Sequence, residues 1–540
     1  MDVSFGTIWE AIARDLPDTV AISEPARDYT FAEFSDRAGR LAAALAAAGI
    51  GPGDKVACYL YNGAPYLETV FAAFKLGAVP VNANYRYTRD ELTALLADAD
   101  AAALVFSGDL AANVAHAAAT LPSLRLLVRV GEAPDEAPLQ DVPELADLYA
   151  TAEPRPPVPR PSDDQLFMYT GGTTGKPKGV IWHLYQLFGS MGAGLFSRFG
   201  AETTPATLDE LMAIVRSVHA SGRSPVSLSA VPLMHATGLF NSIGTLTVGG
   251  RVVMTRPGRL NPRHVWELVG AQRVRTLVIA GNAVGQPLVD ELVAAEAAGR
   301  PYDLSSLEAV TSSGTVLSDR LKRALHERAT VTISDAVASS EGGPFLIAST
   351  SSTADLPSRF YPTAGTQVLT ASGVPVVPGS GQVGMLAFGG SIPSGYYKDD
   401  AKTSATFRVV DGVRYSIPGD LATVDADGAI RFLGRGAGVI NTGGEKVHPQ
   451  EVEDILLAYP GVTDASVVGV PDETWGERVV AVVATIDKEL TQEELRTAVR
   501  RHLAGYKVPR AVILLSALPR TPTGKLELSR VRSIAADAVR

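Results

Sequence analysis

The segment Met168-Tyr-Thr-Gly-Gly-Thr-Thr-Gly-Lys-Pro-Lys-Gly-Val180 places four glycines, three threonines and two lysines at the end of an apolar run. Glycines let backbone N–H groups close on an anion, hydroxyls add neutral donors and lysines add point charge. That composition describes a polyphosphate cradle. A Walker A loop is excluded, because Thr170 stands where its first glycine belongs and Pro177 where its Ser/Thr belongs. Proline at 177 also argues against a phosphate-capping helix opening at Lys176. A glycine- and threonine-rich surface turn is the competing reading of this segment alone. Other candidates have ordinary readings in isolation. Glu341 before two glycines reads as a solvated surface carboxylate, and Asp420 after Gly419 can be a turn cap. Lys525, in Arg520-Thr-Pro-Thr-Gly-Lys525, by itself reads as a solvated lysine.

The elements around these residues alternate between helices and short apolar strands. Thr30 and Glu33 form a capping box ahead of a helix ended by Gly49, and residues 55–60 read as a strand. Pro65 opens the next helix and Gly77 closes it, before strands at 79–82, 102–106 and 124–130. Such alternation predicts parallel pairing, with helices on both faces of a sheet. The proline-rich residues 153–161 are expected to be extended and exposed. An amphipathic helix over 207–219, capped by Thr207, reads as a lid or an insertion. Sheet-like runs return at 227–231, 251–254, 276–279 and 307–311. After Gly381 short strands with glycine turns suggest a β-rich subdomain. Gly434-Arg-Gly-Ala-Gly438 marks a boundary, followed by an α+β pattern with a second capping box at Thr491 and Glu494.

At 540 residues the chain exceeds one core, and 46% hydrophobic with 20% charged residues is a globular composition. A net charge of -10 disfavours nucleic acid or an anionic membrane as main partner. No apolar run is long enough to span a bilayer, and residues 1–16 do not read as a signal peptide. Cys58, the single cysteine, lies in an apolar strand-like run and cannot form an internal disulfide, which fits a reduced, cytoplasmic setting.

In chain order, the loop at 168–180, Pro232-Leu-Met-His-Ala-Thr-Gly238, Asp335-Ala-Val-Ala-Ser-Ser-Glu341, Tyr415-Ser-Ile-Pro-Gly-Asp-Leu421 and Gly434-Arg435 onward to Lys525 resemble the ANL superfamily of adenylate-forming enzymes. The resemblance implies an α/β multidomain fold. A large N-terminal adenylation domain, residues 1–434, would hold layered α/β sheets and a small β-rich subdomain. A small mobile α+β C-terminal domain, residues 435–540, would carry the catalytic lysine. It also implies an acid–thiol ligase using ATP, Mg²⁺ and coenzyme A. A carboxylate attacks the α-phosphate of ATP to give an acyl-adenylate and pyrophosphate, and the thiol then displaces AMP.

On this resemblance Lys525, Glu341, Thr174 and His235 are the catalytic candidates. Lys525 bridges the carboxylate and α-phosphate, Glu341 is the metal ligand, and His235 lines the acyl site and thiol tunnel. Thr170, Gly171, Gly172, Thr173, Thr174, Gly175 and Lys178 are implied to handle the phosphates. Ser313, Gly314 and Thr315 fall on the adenine side, Ser340 is a further cofactor-binding candidate, and Asp420 and Arg435 bind ribose and phosphate. Gly443 and Gly444 would line the pantetheine slot. Against the family pattern, Val337 replaces an aromatic residue that stacks on adenine, Ala338 a glycine, Pro418 a threonine and Gly438 a charged hinge residue, so adenine is expected to meet an aliphatic surface at Val337. The segments at 168–175 and 440–447 are most similar to actinobacterial fatty-acid and sterol side-chain acyl-CoA synthetases, implying a long or bulky lipid carboxylate. The apolar stretches 238–244 and 279–285 would line its pocket or belong to buried core. The implied partners are that acid and CoA, with a homodimer left open. The alternatives are a ligase loading a carrier protein and a catalytically silent nucleotide- or acyl-binding homologue; a P-loop kinase is disfavoured by Thr170 and Pro177.

Overall fold

The computed structural model describes residues 3–134, 139, 141–171, 177–314, 317–435, 438–442, 445–472, 476–503, 505–521 and 526–539. Local signals in the sequence set most of the N-terminal elements. Thr30 accepts from the Glu33 N–H and the Glu33 carboxylate accepts from the Thr30 N–H, which starts helix Phe31–Ala47. Helix Ala64–Leu76 ends on Gly77 at φ 68°, a left-handed position that glycine adopts without strain. Strands Lys55–Tyr59, Val79–Asn82, Ala101–Ser107 and Leu126–Val130 pair in parallel as the alternation predicts.

These strands belong to a seven-stranded sheet with the order Gly395–Tyr396, Pro177–His183, Gln165–Gly171, Val79–Asn82, Lys55–Tyr59, Ala101–Ser107, Leu126–Val130. A nine-stranded sheet has at its centre Ala309–Ser313, Thr276–Ile279, Val226–Ser229 and Arg251–Val253, all parallel. Side chains alternate across each sheet. Val56 and Cys58 face a core that contains Trp9, Phe34, Phe71 and Phe74, whereas Ala57 and Tyr59 face a second core on the other side. The first core also takes Ala21, Ile22 and Val252 from the nine-stranded sheet. Helices Phe5–Asp15, Phe31–Ala47 and Ala64–Leu76 therefore fill the space between the sheets, and further helices cover the outer faces. Cys58 is buried there, and burial pushes its thiol up.

A six-stranded antiparallel sheet, from Thr366–Leu369 to Ile430–Arg435, forms the β-rich part. It begins before Gly381, where the sequence texture changes. The C-terminal part is a five-stranded sheet with a separate core on each face: Val479, Ala481 and Val483 on one, Val480, Val482 and Ala484 on the other. The Thr491–Glu494 capping box starts helix Gln492–His502. Among the described residues no helix is long and apolar enough to cross a membrane.

Helix Leu208–Ala220, read as a lid or an insertion, is packed onto the main core. Leu211, Met212 and Val215 are buried in the main core, and Arg216 pairs with Asp15 at 2.7 Å. The strand expected at 307–311 lies at Ala309–Ser313, because Leu307 anchors the preceding turn in the outer core.

Candidate active site

Strands Gln165–Gly171 and Pro177–His183 run antiparallel, with Thr170 opposite Lys178 and Gly171 opposite Pro177. The two strands flank the glycine-rich segment, and from Pro177 onward the chain is strand rather than helix. Gly172, Thr173, Thr174 and Gly175 lie outside the described residues. A Cβ at Gly179 would stand 2.7 Å from the Tyr169 ring, so glycine lets that ring lie across the hairpin, where its hydroxyl donates to Asp98 at 2.6 Å.

The hairpin base is held by a residue that sequence reasoning missed. The Asn82 amide nitrogen donates to the carbonyls of Tyr169 at 2.9 Å and Met234 at 2.7 Å, and its oxygen accepts from the Tyr169 N–H at 2.6 Å. One buried side chain therefore links the glycine-rich hairpin to the segment just before His235. Asn82→Ala should destabilise the protein by about 3 kcal/mol, because it leaves buried backbone groups unpaired. It should also raise the KM for ATP, since Tyr169 precedes Thr170. Urea unfolding and initial rates check the two effects separately.

Glu341 sits at the turn between strands Thr332–Ser339 and Gly342–Thr350 of the nine-stranded sheet. It is not a freely solvated carboxylate, because the Tyr396 hydroxyl donates to it at 2.7 Å. Tyr396 pairs with Val180 beside the phosphate hairpin, and the Trp182 ring nitrogen donates to the Ser340 carbonyl at 3.0 Å. These bonds bring the turn of one sheet against the hairpin of the other. Ser313 is at the end of its strand opposite Ala336, with Gly314 following, and Thr315 lies outside the described residues. Behind them the buried Lys322–Asp335 pair, 3.0 Å apart, joins strand Thr332–Ser339 to helix Asp319–His326.

A cavity of about 2100 Å³ opens between these elements, lined by Thr170, Lys178, His235, Ser313, Gly314, Ser340 and Glu341 among others. His235 occupies the position just before helix Ala236–Thr247. The strand after Ser334 presents Ala336 and Ala338 to the cavity, while Val337 packs against the main core. The aliphatic surface expected at Val337 is instead made by two alanines, since a strand turns alternate residues to opposite faces. The stretches at 238–244 and 279–285 also divide. Phe240, Asn241, Gly244, Ala283 and Val284 line the cavity, while Leu239, Ile243 and Ile279 are core.

Lys178 forms an ion pair with Asp399, a second contact absent from the sequence reading. Asp399 also accepts from the Lys402 N–H at 2.9 Å, starting helix Asp400–Thr406, and the Lys178 bond helps hold its carboxyl below the usual range. Asp399→Asn keeps an oxygen for the Lys402 N–H but removes the charge. Freed of a partly exposed pair, Lys178 should lower the KM for ATP by about twofold to fivefold, measurable by initial rates.

Asp420 is not brought into the cavity lining. It is buried at the start of strand Asp420–Val424, two residues after Pro418, which does line the cavity. Its register partner is Arg435, described by its backbone, so two candidates fifteen residues apart are neighbours on adjacent strands. From the C-terminal sheet region, Arg520 and Thr521 reach the cavity, and Arg520 pairs with Asp464 at 2.7 Å. Lys525, Gly443 and Gly444 lie outside the described residues.

Residues 9–397 match the AMP-binding enzyme family and residues 451–525 match the AMP-binding enzyme C-terminal domain. A 3-oxocholest-4-en-26-oate–CoA ligase of Rhodococcus rhodochrous is 39% identical over 519 residues, covering 94% of this chain and 92% of the relative. A medium/long-chain-fatty-acid–CoA/3-oxocholest-4-en-26-oate–CoA ligase of Mycolicibacterium smegmatis is 36% identical over 517 residues, with the same coverage. In fold, the chain resembles the crystal structure of an anthranilate CoA ligase in complex with anthranoyl-AMP, with a TM-score of 0.82 at 22% identity over 100% of this chain and 98% of the other. With its large N-terminal and small C-terminal domains, the chain belongs to the AMP-binding enzyme family, the ANL adenylate-forming enzymes.

Proposed function

We propose that this chain is an AMP-forming acyl-CoA synthetase for long-chain or sterol side-chain carboxylates. The observation that carries the reading is one cavity reached by the phosphate-hairpin base, Glu341 and His235, continuing between helices Leu184–Phe196 and Ala236–Thr247, where Met191, Leu195 and Phe240 line it. The relatives' names supply the direction: they are CoA ligases of fatty and sterol acids.

In this reading the carboxylate oxygen attacks the α-phosphate, forming the acyl-adenylate and breaking the bond to pyrophosphate. The thiol sulfur then forms the thioester, and AMP leaves. Thr170 and Lys178, with Gly171, Gly172, Thr173, Thr174 and Gly175, neutralise charge on the departing pyrophosphate. Ser313, Gly314, Thr315, Ser340 and the Ala336–Ala338 face hold the base, while Asp420 and Arg435 serve the ribose. Lys525 supplies charge between the carboxylate and the α-phosphate, a task suited to a compact cation on a long stem. His235 shapes the acyl and thiol passage, with Gly443 and Gly444 forming a narrow slot for pantetheine.

A divalent cation fits Glu341 in one form only. Among the described residues no group of three His, Cys, Asp or Glu side chains converges, so Mg²⁺ there would complete its shell with phosphate oxygens and water. Bound in that way, it would screen charge on the phosphates. Domain limits of 1–434 and 435–540, a mobile C-terminal domain, cytoplasmic location and a homodimer belong to the same proposal.

The test is incubation with ATP, CoA and a mixed carboxylic acid library, with thioesters identified by mass. Lipid acyl-CoA formed together with AMP is the expected result. Acyl-adenylate without thioester would redirect the reading to a carrier-protein ligase, and no product from any acid would overturn it.

A further inference from the structure

Helix Ala236–Thr247 runs along the cavity and acts as a scale for its depth. Thr237, Phe240, Asn241 and Gly244 face the cavity at spacings of three and four, while Leu239, Ile243 and Leu246 are buried in the core. Gly244 is nine residues beyond His235, which places it about 13 Å farther along the axis at the helical rise.

Glycine is costly inside a helix because it adds backbone freedom to the unfolded chain and contributes no side chain to pack. Two ordinary reasons for keeping it fail at Gly244. It is not among the glycines with positive φ, and an added Cβ would meet only the Leu195 side chain, at 3.7 and 4.0 Å, an ordinary contact. Gly238 in the same helix is a useful contrast: its Cβ would stand 2.6 Å from the Pro232 carbonyl oxygen, so packing requires that glycine. The neighbouring helix Leu184–Phe196 repeats the distinction. Cβ atoms at Gly189 and Gly192 would collide with Ser391 and Thr204, whereas one at Gly194, which is exposed and, like Gly189, lines the cavity, meets nothing within 4 Å. What Gly244 and Gly194 share is a cavity position that packing does not require to be glycine.

We propose that Gly244, with the cavity-lining Gly194 on the neighbouring helix, is a specificity-determining residue. The missing side chains keep the far end of the acyl chamber wide enough for long or bulky acyl groups. The near end, from His235 to Phe240, is sufficient for short ones. The proposal rests on the acyl-CoA synthetase reading and adds to it which positions set the size limit.

The experiment measures kcat/KM for thioester formation from octanoate, hexadecanoate and 3-oxocholest-4-en-26-oate, the acid named for the Rhodococcus relative. Gly244→Leu and Gly194→Leu are compared with the unsubstituted chain, and Gly244→Ala serves as a folding control. Gly244→Leu should lower the values for the two large acids by about 10- to 100-fold and leave octanoate within about threefold. Gly194→Leu should act in the same direction. Gly244→Ala should fold with an unchanged or higher thermal midpoint, since alanine favours the helix. Equal losses on all three acids, or a lowered midpoint in Gly244→Ala, would show that the fold requires this glycine and overturn the proposal alone. If the unsubstituted chain forms no thioester from any of the acids, the functional reading falls and the proposal with it.

Discussion

Lys525→Ala is expected to slow acyl-adenylate formation by about 10³-fold, the scale of losing one well-placed charge at a developing transition state. When the carboxylate attacks the α-phosphate, two anions are pressed together in a partly desolvated cavity, and the cation between them is worth most at that moment. On the proposed assignment ATP binding rests on other residues, so affinity measured by equilibrium binding should change by less than about tenfold. Thioester formation from a supplied acyl-adenylate should persist, because the second step no longer joins a carboxylate to a phosphate. Pyrophosphate release with ATP and acid, set beside CoA transfer from synthetic acyl-adenylate, separates the two steps. Equal loss in both would indicate a damaged fold rather than a missing charge.

The second large effect is expected at Glu341. Glu341→Gln keeps the side-chain shape and an oxygen to accept from the Tyr396 hydroxyl, so the turn between the two strands should stay in place. The lost negative charge is what a hard cation needs. Turnover should fall by about 10²-fold or more, with a higher Mg²⁺ concentration needed for half-maximal rate. Tyr396→Phe removes one bond to the carboxylate and leaves its charge, so its loss should be about tenfold, with little change in Mg²⁺ requirement. Magnesium titrations of both variants by pyrophosphate release check this. A Mg²⁺ dependence unchanged in Glu341→Gln would remove the metal from that side chain.

The sequence was most informative where the physics is local. Thr30 with Glu33, Thr491 with Glu494, and Gly77 at a helix end are decided within a few residues, and the structure has each as expected. The alternation of elements also predicted parallel pairing. What could not be read were contacts closed only by the fold. Asn82 reaches partners 87 and 152 positions away, and the Tyr396–Glu341 bond joins residues 55 apart. Both concern side chains that, taken alone, are an ordinary strand-end amide and an ordinary strand tyrosine. Val337 shows a different limit. Aligning motifs identified the substituted position, but the period-two alternation of the strand decided that its alanine neighbours face the cavity. The Lys178–Asp399 pair belongs with the long-range contacts, and it gives the cradle lysine a partner that a phosphate would have to displace.

On the proposed function, the glycine-rich hairpin acquires its meaning from what converges on it: strand Gln165–Gly171 held by Asn82, a carboxylate held by Tyr396 and a cavity that continues between two helices. The most direct test is to supply ATP, CoA and a lipid acid carrying heavy-oxygen label in its carboxylate, and to analyse the products by mass. Adenylation transfers one carboxylate oxygen to the α-phosphate, so the account predicts labelled AMP in amounts equal to the acyl-CoA formed. Unlabelled AMP, or ADP with the label in inorganic phosphate, would contradict it.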